Sequence, residues 1–187
     1  MAFTAVLDAC VLYPAPLRDL LMQLARTRLY RARWTEAIHD EWTRNVAQKR
    51  PDLVDRLART RALMNEAIED CLVVGYEALI SGLTLPDPDD RHVLAAAIVA
   101  RADVIVTLNL KDFPASAVSP FGIEVQHPDV FIRHALDLDP AIALGAVRAV
   151  RGRLQKPPAS PQDMLDTLAR QGLAETVAFL RDWKELF

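Results

Sequence analysis

Short apolar runs alternate along most of the chain with segments whose apolar residues recur every three or four positions. The run at 3–7 lacks polar alternation, which predicts a strand buried on both faces. The run at 104–106 is predicted to be a second buried strand and the run at 123–126 a third. The run at 71–74 is a candidate for a further brief strand. Because helical segments separate these runs, the pattern predicts a three-layer α/β/α fold around a mostly parallel central sheet.

Apolar spacing and the positions of prolines place the helices. The segment that opens at Pro88 is strongly apolar, and we expect it to stay helical to about Ala102. The other helices are predicted from their apolar spacing or from an opening proline. The predicted helices begin near Leu17, Thr35, Pro51, Glu77, Pro88 and Pro128.

From about Asp139 onward the pattern is helical only. One amphipathic segment runs to Leu154, a proline-rich stretch follows, and Gly172 separates the last two helices. We therefore predict two units. Residues 1–136 form the domain that carries the chemistry, and residues 139–187 form a small all-helical C-terminal extension.

Composition restricts the class of protein. The chain has 187 residues, of which 51% are hydrophobic, so it folds into one domain or one domain with an appendage. Charges interrupt every apolar run before the ~18 residues that a membrane span needs. The chain starts without a basic flank or a cleavage site for secretion, and its two cysteines, Cys10 and Cys71, lie too far apart in sequence for a disulfide framework. We expect a cytoplasmic protein that does not enter membranes.

Charge is distributed unevenly. The formal net charge is -3, but the stretch from Arg18 to Arg61 holds 11 Lys and Arg against 6 Asp and Glu. This stretch is either a solvated helix surface or a face that contacts phosphates. The sharpest acidic cluster is at Asp87, Asp89 and Asp90.

Polar side chains follow two of the predicted strands. Asp8 comes directly after the first strand, and Thr107, Asn109 and Asp112 follow the second. In parallel sheets, ligands bind beyond the carboxyl ends of the strands. These residues are therefore candidates for a site, although an Asp at a strand end is also a common turn or cap residue.

Helix geometry selects one acid from the helix that starts near Thr35. At 100° per residue, Glu41 lies about 60° from Ile38 on the buried side, whereas Glu36 and Asp40 lie about 160° away. Glu41 is therefore the acid of this helix that we expect beside the protein interior.

The helix after Pro88 selects a second acid. Asp87 and Asp89 suit helix capping and the helix dipole. Asp90 instead projects close to the middle of the apolar stripe, at its N-terminal end. Capping does not explain that direction.

The three inward acids Asp8, Glu41 and Asp90 would meet if their elements pack around the carboxyl edge of the sheet. Two carboxylates ~4 Å apart repel by about 4 kcal/mol at an effective dielectric of 20, so such a cluster takes up protons or binds a cation. Oxygen ligands without Cys or paired His favour Mg²⁺ or Mn²⁺. Such an ion, with open water positions, suits phosphoryl chemistry.

Three motifs, at residues 6–12, 87–97 and 104–114, together with the inward Glu41, resemble the PIN domain, and more narrowly the VapC-type ribonuclease toxins. The resemblance extends from the N-terminus to about Leu136.

The resemblance assigns the acids of the site. It places the first three acids of the family at Asp8, Glu41 and Asp90. Where the fourth usually stands, this chain has Asn109. Asp112 is the natural substitute, and the amide of Asn109 is able to coordinate the metal or to orient a water. Cys10 stands where the family often has Asn, so a local hydrogen bond is expected to be missing.

The resemblance implies an Mg²⁺- or Mn²⁺-dependent endoribonuclease, the toxin of a type II toxin–antitoxin pair. A water activated by the metal would attack a backbone phosphate of RNA. Thr107 would hydrogen-bond within the site, and Arg18, Arg44 and Arg91 are candidate contacts to the RNA backbone. The implied partners are a small antitoxin protein that blocks the site and a second copy of the chain.

Two alternative functions share part of this pattern. A catalytically impaired PIN-like module that binds RNA or protein is favoured by Asn109. A phosphatase of the haloacid-dehalogenase type needs a second Asp where this chain has Cys10, which argues against it.

Three other features of the sequence are weaker indications of function. The two cysteines are expected to be small buried hydrophobic residues. The three tryptophans are expected to anchor the core or an interface, and His39 beside Asp40 is expected to be a surface pair without a role.

Overall fold

The computed structural model describes residues 3–187. Four parallel strands form the central sheet, in the order β2-β1-β3-β4. The strands are β1 (Thr4–Leu7), β2 (Arg31–Arg33), β3 (Val104–Val106) and β4 (Glu124–Gln126). The predicted α/β/α fold with C-terminal helices is confirmed.

Helices connect and cover the strands. The helices are α1 (Ala9–Leu12), α2 (Ala15–Arg26), α3 (Glu36–Lys49), α4 (Val54–Ala67), α5 (Glu77–Ile80), α6 (Arg91–Val99), α7 (Ala115–Val118), α8 (Pro128–Leu138), α9 (Pro140–Arg153), α10 (Pro161–Arg170) and α11 (Ala174–Asp182). Short 3₁₀ turns occupy Pro51–Leu53, Pro88–Asp90, Leu110–Asp112, Ser119–Phe121 and Lys184–Leu186.

The sheet register places the site. Leu7 of β1 lies beside Val106 of β3, so the next residues along the two strands, Asp8 and Thr107, emerge together at the carboxyl edge. The Asp8 amide donates to the Val106 carbonyl at 3.1 Å, which extends the pairing by one residue. The two central strands therefore deliver the first acid and the threonine to one place.

Two strand predictions are corrected. The segment at 71–74 forms only a single parallel bridge between Leu72 and Trp34, so it is not a strand of the sheet. The sequence analysis did not identify β2, because two of its three residues are arginines and only Ala32 is fully buried. Its pairing with β1 along the sheet edge defines it as a strand.

The helix expected to reach Ala102 ends earlier. The last residue of α6 is Val99, because Arg101 adopts a left-handed conformation with φ of 48°. The Ala102 amide turns back to donate to the Ala97 carbonyl at 2.9 Å, which satisfies a carbonyl of the last turn.

The hydrophobic core is continuous from the sheet into the C-terminal helices. Ala5 and Ile105 of the sheet belong to the same buried cluster as Val147 of α9 and Leu165 of α10. Helix α9 packs along α2, and α11 packs along α8.

Candidate metal and nuclease site

Asp8 is the most buried acid of the site. It caps the short helix α1, and its Oδ1 accepts a hydrogen bond from the Ala9 amide at 2.6 Å. Its Oδ2 accepts from the Thr107 hydroxyl at 2.7 Å and from the Cys10 thiol at 3.1 Å. Burial raises the pKa of Asp8 against these donors, and the nearby charge of Glu41 raises it further. The carboxylate is thus fixed in place, in surroundings that disfavour its negative charge.

Thr107 connects Asp8 to the turn that follows β3. Its side chain is fully buried and donates its proton to Asp8. The same oxygen accepts from the Asn109 amide at 3.0 Å, so the start of the turn is fixed as well. The Asn109 side chain is exposed, and the Asn109 carbonyl accepts from the Asp112 amide at 3.0 Å.

Cys10 corrects an expectation from the sequence. It is only partly buried, and its sulfur accepts a hydrogen bond from the Leu108 amide at 3.2 Å in addition to its contact with Asp8. The thiol therefore supplies the hydrogen bonding that was expected to be missing at this position. The family that the chain resembles often has Asn at this position, which indicates that a hydrogen-bonding side chain is needed there.

Asp90 is a half-buried acid at the start of α6. It occupies the N-cap position of α6 but makes no side-chain cap hydrogen bond, whereas Asp87 accepts from the Asp89 amide at 2.9 Å. The pKa of Asp90 is raised to about 7, first by burial and then by the charges of Asp8, Asp87, Asp112 and Glu41. These carboxylates are therefore electrostatic neighbours.

Glu41 lies on α3 and belongs to the acidic cleft, the name used for the site formed by Asp8, Glu41, Asp90 and Asp112. It is partly buried, and its Oε2 lies 3.6 Å from Nε2 of His92, the second residue of α6. Nδ1 of His92 is buried without a hydrogen-bond partner among the described residues. His92 is a site residue that no motif in the sequence indicated.

The predicted division of the α3 acids is confirmed. Glu36 and Asp40 are exposed on the opposite side of the helix, where both pair with Arg61 of α4. Only Glu41 remains on the cleft side of this helix.

Within residues 3–187, no three His, Cys, Asp or Glu side chains already stand at the mutual distances of a formed metal site. The predicted acids Asp8, Glu41 and Asp112 instead lie close enough to the fourth, Asp90, for their charges to raise its pKa. Their donor set is all oxygen. Burial raises the pKa of the Cys10 thiol, which leaves it protonated and unsuited to a metal that requires a thiolate. This chemistry fits Mg²⁺ or Mn²⁺.

The three arginines predicted to contact RNA differ in their exposure and in their contacts. Arg18 is partly buried: it donates to the Leu12 carbonyl at 2.8 Å, and its guanidinium lies 4.8 Å from the ring centroid of Trp42. The guanidinium of Arg18 therefore packs between α1 and α3. Arg44 is exposed on α3, and Arg91 is partly exposed, with its Nε donating to the Pro88 carbonyl at 2.8 Å.

His39 is not a surface residue, which corrects a second expectation. It is fully buried, its Nδ1 accepts from the Trp42 indole at 2.9 Å, and its Nε2 lies 2.9 Å from Oδ1 of Asn65. The tryptophans Trp34 and Trp42 lie in the core as predicted, and Trp183 is partly exposed beside Phe179. Cys71 is buried, in agreement with the prediction.

With this geometry in place, comparison with protein families assigns the class. A model described as "PIN domain" matches residues 4–111, more than half of the chain. The chain belongs to the PIN domain family, as its motifs predicted. A second model, described as "VapC50 C-terminal domain", matches residues 128–182, which include α8 and the helices after it.

The comparison with individual proteins gives a named relative. The chain is 45% identical over 101 residues to a protein of Mycobacterium tuberculosis (strain ATCC 25618 / H37Rv) described as "Putative ribonuclease VapC50". The match covers 52% of this chain and 57% of the relative, so it spans little more than half of either protein. No solved structure matches the chain. In the described part of the chain, every helix is too short or too polar to span a bilayer.

Proposed function

We propose that the protein is an Mg²⁺- or Mn²⁺-dependent endoribonuclease that cleaves RNA by hydrolysis of a backbone phosphodiester. The observation that carries this proposal is the pKa of Asp90, raised to about 7 by burial and by the surrounding carboxylates. Acids kept this close take up protons or bind a cation, and the all-oxygen donor set favours a divalent cation. Membership of the PIN family and the likeness to a putative ribonuclease support the reaction class.

Asp8, Glu41, Asp90 and Asp112 are the residues that would hold the ion. When bound, the ion supplies positive charge that activates water and neutralises the phosphate oxygens. Asp8 enters this site already oriented by Thr107 and Ala9. The carboxylate of Asp90 is not used as a helix cap, which leaves it available as a ligand.

Asp112 is our candidate for the fourth acid. It is partly buried and is one of the charges that raise the pKa of Asp90, whereas the side chain of Asn109 is exposed. We therefore assign Asn109 a role through its backbone, which joins Thr107 to Asp112. With Asp112 in this position, the acidic set is complete, which disfavours the alternative of a catalytically impaired binding module.

The remaining features of the proposal concern partners. We infer that Arg44 and Arg91 contact the RNA backbone from the rim of the cleft, and that the protein is the toxin of a type II toxin–antitoxin pair acting in the cytoplasm. A small antitoxin that blocks the acidic cleft and a second copy of the chain are the expected protein partners. The match to the VapC50 C-terminal model supports the proposal that the protein is a VapC-type toxin.

The test incubates the purified protein with total RNA in Mg²⁺, in Mn²⁺ and in a chelator. We expect fragments that need the metal and that disappear in Asp8→Asn and Asp90→Asn, while Asp89→Asn, a neighbouring exposed acid, cleaves normally. Fragments that persist in Asp8→Asn would instead reveal a contaminating nuclease. Absence of cleavage by the wild-type protein under every metal condition would support the impaired module.

A second pair of variants tests the fourth acid. Asp112→Ala is expected to lose cleavage, and Asn109→Ala is expected to retain it, because the backbone of Asn109 makes the contact to Thr107. If Asp112→Ala cleaves as well as the wild-type protein, the assignment of Asp112 is wrong.

A further inference from the structure

The Cys10 side chain lies between the end of β1 and the turn that follows β3. Its sulfur is 3.1 Å from Oδ2 of Asp8, 3.3 Å from the Thr107 hydroxyl and 3.2 Å from the Leu108 amide. One atom thus contacts the first acid of the site and the first two residues after β3.

The direction of each hydrogen bond follows from the donors available. The Leu108 amide can only donate, so the sulfur accepts from it. The Thr107 hydroxyl donates its proton to Asp8, so the Cys10 thiol proton is free to point at the same carboxylate.

The turn held by this sulfur carries the fourth acid. The Asn109 amide is fixed by Thr107, and the Asp112 amide donates to the Asn109 carbonyl at 3.0 Å. A continuous chain of hydrogen bonds therefore runs from Asp8 through Cys10 and Leu108, and in parallel through Thr107, to the start of the 3₁₀ turn Leu110–Asp112.

We propose that Cys10 is a positioning residue, whose thiol holds the turn at 108–109 against Asp8 and thereby sets the distance between Asp8 and Asp112. This inference rests on the proposed metal-dependent function. It assigns Cys10 no contact with metal or RNA.

The test compares Cys10→Ala, which removes donor and acceptor, with Cys10→Ser, which retains both on a shorter side chain. Cys71→Ala is the matched control, because Cys71 is buried away from the acids and its weak contacts are to Asn65. Two quantities are measured on the full chain: hydrogen exchange at the Leu108 amide without metal, and the affinity for Mn²⁺ by calorimetry.

In the wild-type protein we expect the Leu108 amide to be protected although the residue is exposed. Cys10→Ala is expected to lose this protection and to bind Mn²⁺ about tenfold more weakly, which is the usual effect of removing a group that orients a ligand. Cys10→Ser is expected to restore both, and Cys71→Ala to change neither. Should Cys10→Ala not fold, Cys10→Val, which fills the space without polar atoms, takes its place.

Four results would contradict the positioning role. Unchanged Leu108 exchange in Cys10→Ala would mean that the sulfur does not hold the turn. Lost protection with unchanged Mn²⁺ affinity would mean that the turn does not position the acids, and failure of Cys10→Ser to restore the affinity would mean that hydrogen bonding is not the cause. Equal Mn²⁺ binding by the wild-type protein and Asp8→Asn would refute the metal site itself, and the role of Cys10 with it.

Discussion

The buried histidine of α3 shows how a single side chain fixes a protonation state. His39 accepts from Trp42 through Nδ1, so its remaining proton is on Nε2, where Asn65 Oδ1 accepts it. Both ring nitrogens are satisfied only in the neutral form, because an added proton on Nδ1 would face the Trp42 N–H. Burial lowers the pKa of His39 first of all, and Arg61 contributes in the same direction, against the raising effects of Asn65, Glu36 and Asp40.

This neutral histidine predicts a loss of stability in acid. The pKa of His39 in the folded state lies below the unfolded value of 6.5. The neutral histidine therefore contributes fully to the free energy of unfolding above pH 6.5, and this contribution is lost as the pH falls through the lower folded-state pKa. His39 alone changes the free energy of unfolding by at most about 1.4 kcal/mol per pH unit.

Urea unfolding between pH 7.5 and 5.5 measures the effect. His39→Gln should be less stable than the wild-type protein at pH 7.5 but should show a smaller decrease towards pH 5.5. His134→Gln, at an exposed position on α8, should retain the wild-type decrease. The interpretation is wrong if both variants keep the same pH dependence.

Residues were predictable from sequence where their role depends on local geometry. Asp8 follows from its place at a strand end, and the directions of Glu41 and Asp90 follow from helix periodicity. Cys10 and His39 were misread, because their partners Leu108 and Asn65 lie far along the chain. A side chain whose environment comes from tertiary contacts looks like an ordinary cysteine or histidine in the sequence.

At the scale of elements, one carboxylate links two helices. Asp129 of α8 is buried, and its two oxygens accept from the Glu175 and Thr176 amides at 2.8 Å each. These amides belong to the first turn of α11, which has no side-chain cap of its own. Asp129 therefore caps a helix 46 residues further along the chain.

Removing this cap is expected to be costly. Asp129→Ala leaves two amides of α11 without their charged acceptor, and we expect a loss of about 3 kcal/mol in the free energy of unfolding. Asp137→Ala, at an exposed position on the same helix, should cost less than about 1 kcal/mol. Chemical denaturation measures both, and equal effects would show that Asp129 does not cap α11.

The elements themselves were predictable where apolar periodicity is strong. The runs at β1 and β3 and the helices opened by proline follow from pattern alone. Strand β2 could not be found in this way, because its pairing with Thr4, Ala5 and Val6 of β1 and not its own composition makes it a strand. The early end of α6 depends on the backbone of Arg101, and Arg is not a residue that signals a left-handed conformation.

At the scale of the molecule, the division into a domain at residues 1–136 and a helical extension at residues 139–187 remains a prediction from the sequence. The core offers a sharper expectation. Because α9 covers α2 and α11 covers α8, removal of residues 139–187 exposes apolar faces of both helices. We expect a chain ending at Leu138 to aggregate, and co-expression of 139–187 to restore a folded protein. A monomeric truncated chain with native circular dichroism would contradict this.

The charge of the whole molecule limits how it can hold a polyanion. With a net charge of -3, RNA affinity has to come from local cations. Arg61 is committed to Glu36 and Asp40, whereas Arg44 is exposed and, among the described residues, makes no ion pair. Arg44 lies three residues after Glu41 and four after Asp40, and it lines the groove between α3 and α4 beside Asp40 and Arg61.

We therefore expect Arg44→Ala to weaken RNA binding at every sequence tested and to reduce the salt dependence, measured as log affinity against log salt, by about 0.7. Cleavage of saturating RNA should not change, because Arg44 belongs to the rim and not to the acids. Arg26→Ala is the matched control: Arg26 is equally exposed but ends α2 at the side from which β2 begins, opposite the carboxyl edge. A salt slope that falls equally in both variants would mean that RNA follows the general field of the basic stretch, and the cleft rim would then have no special part in binding.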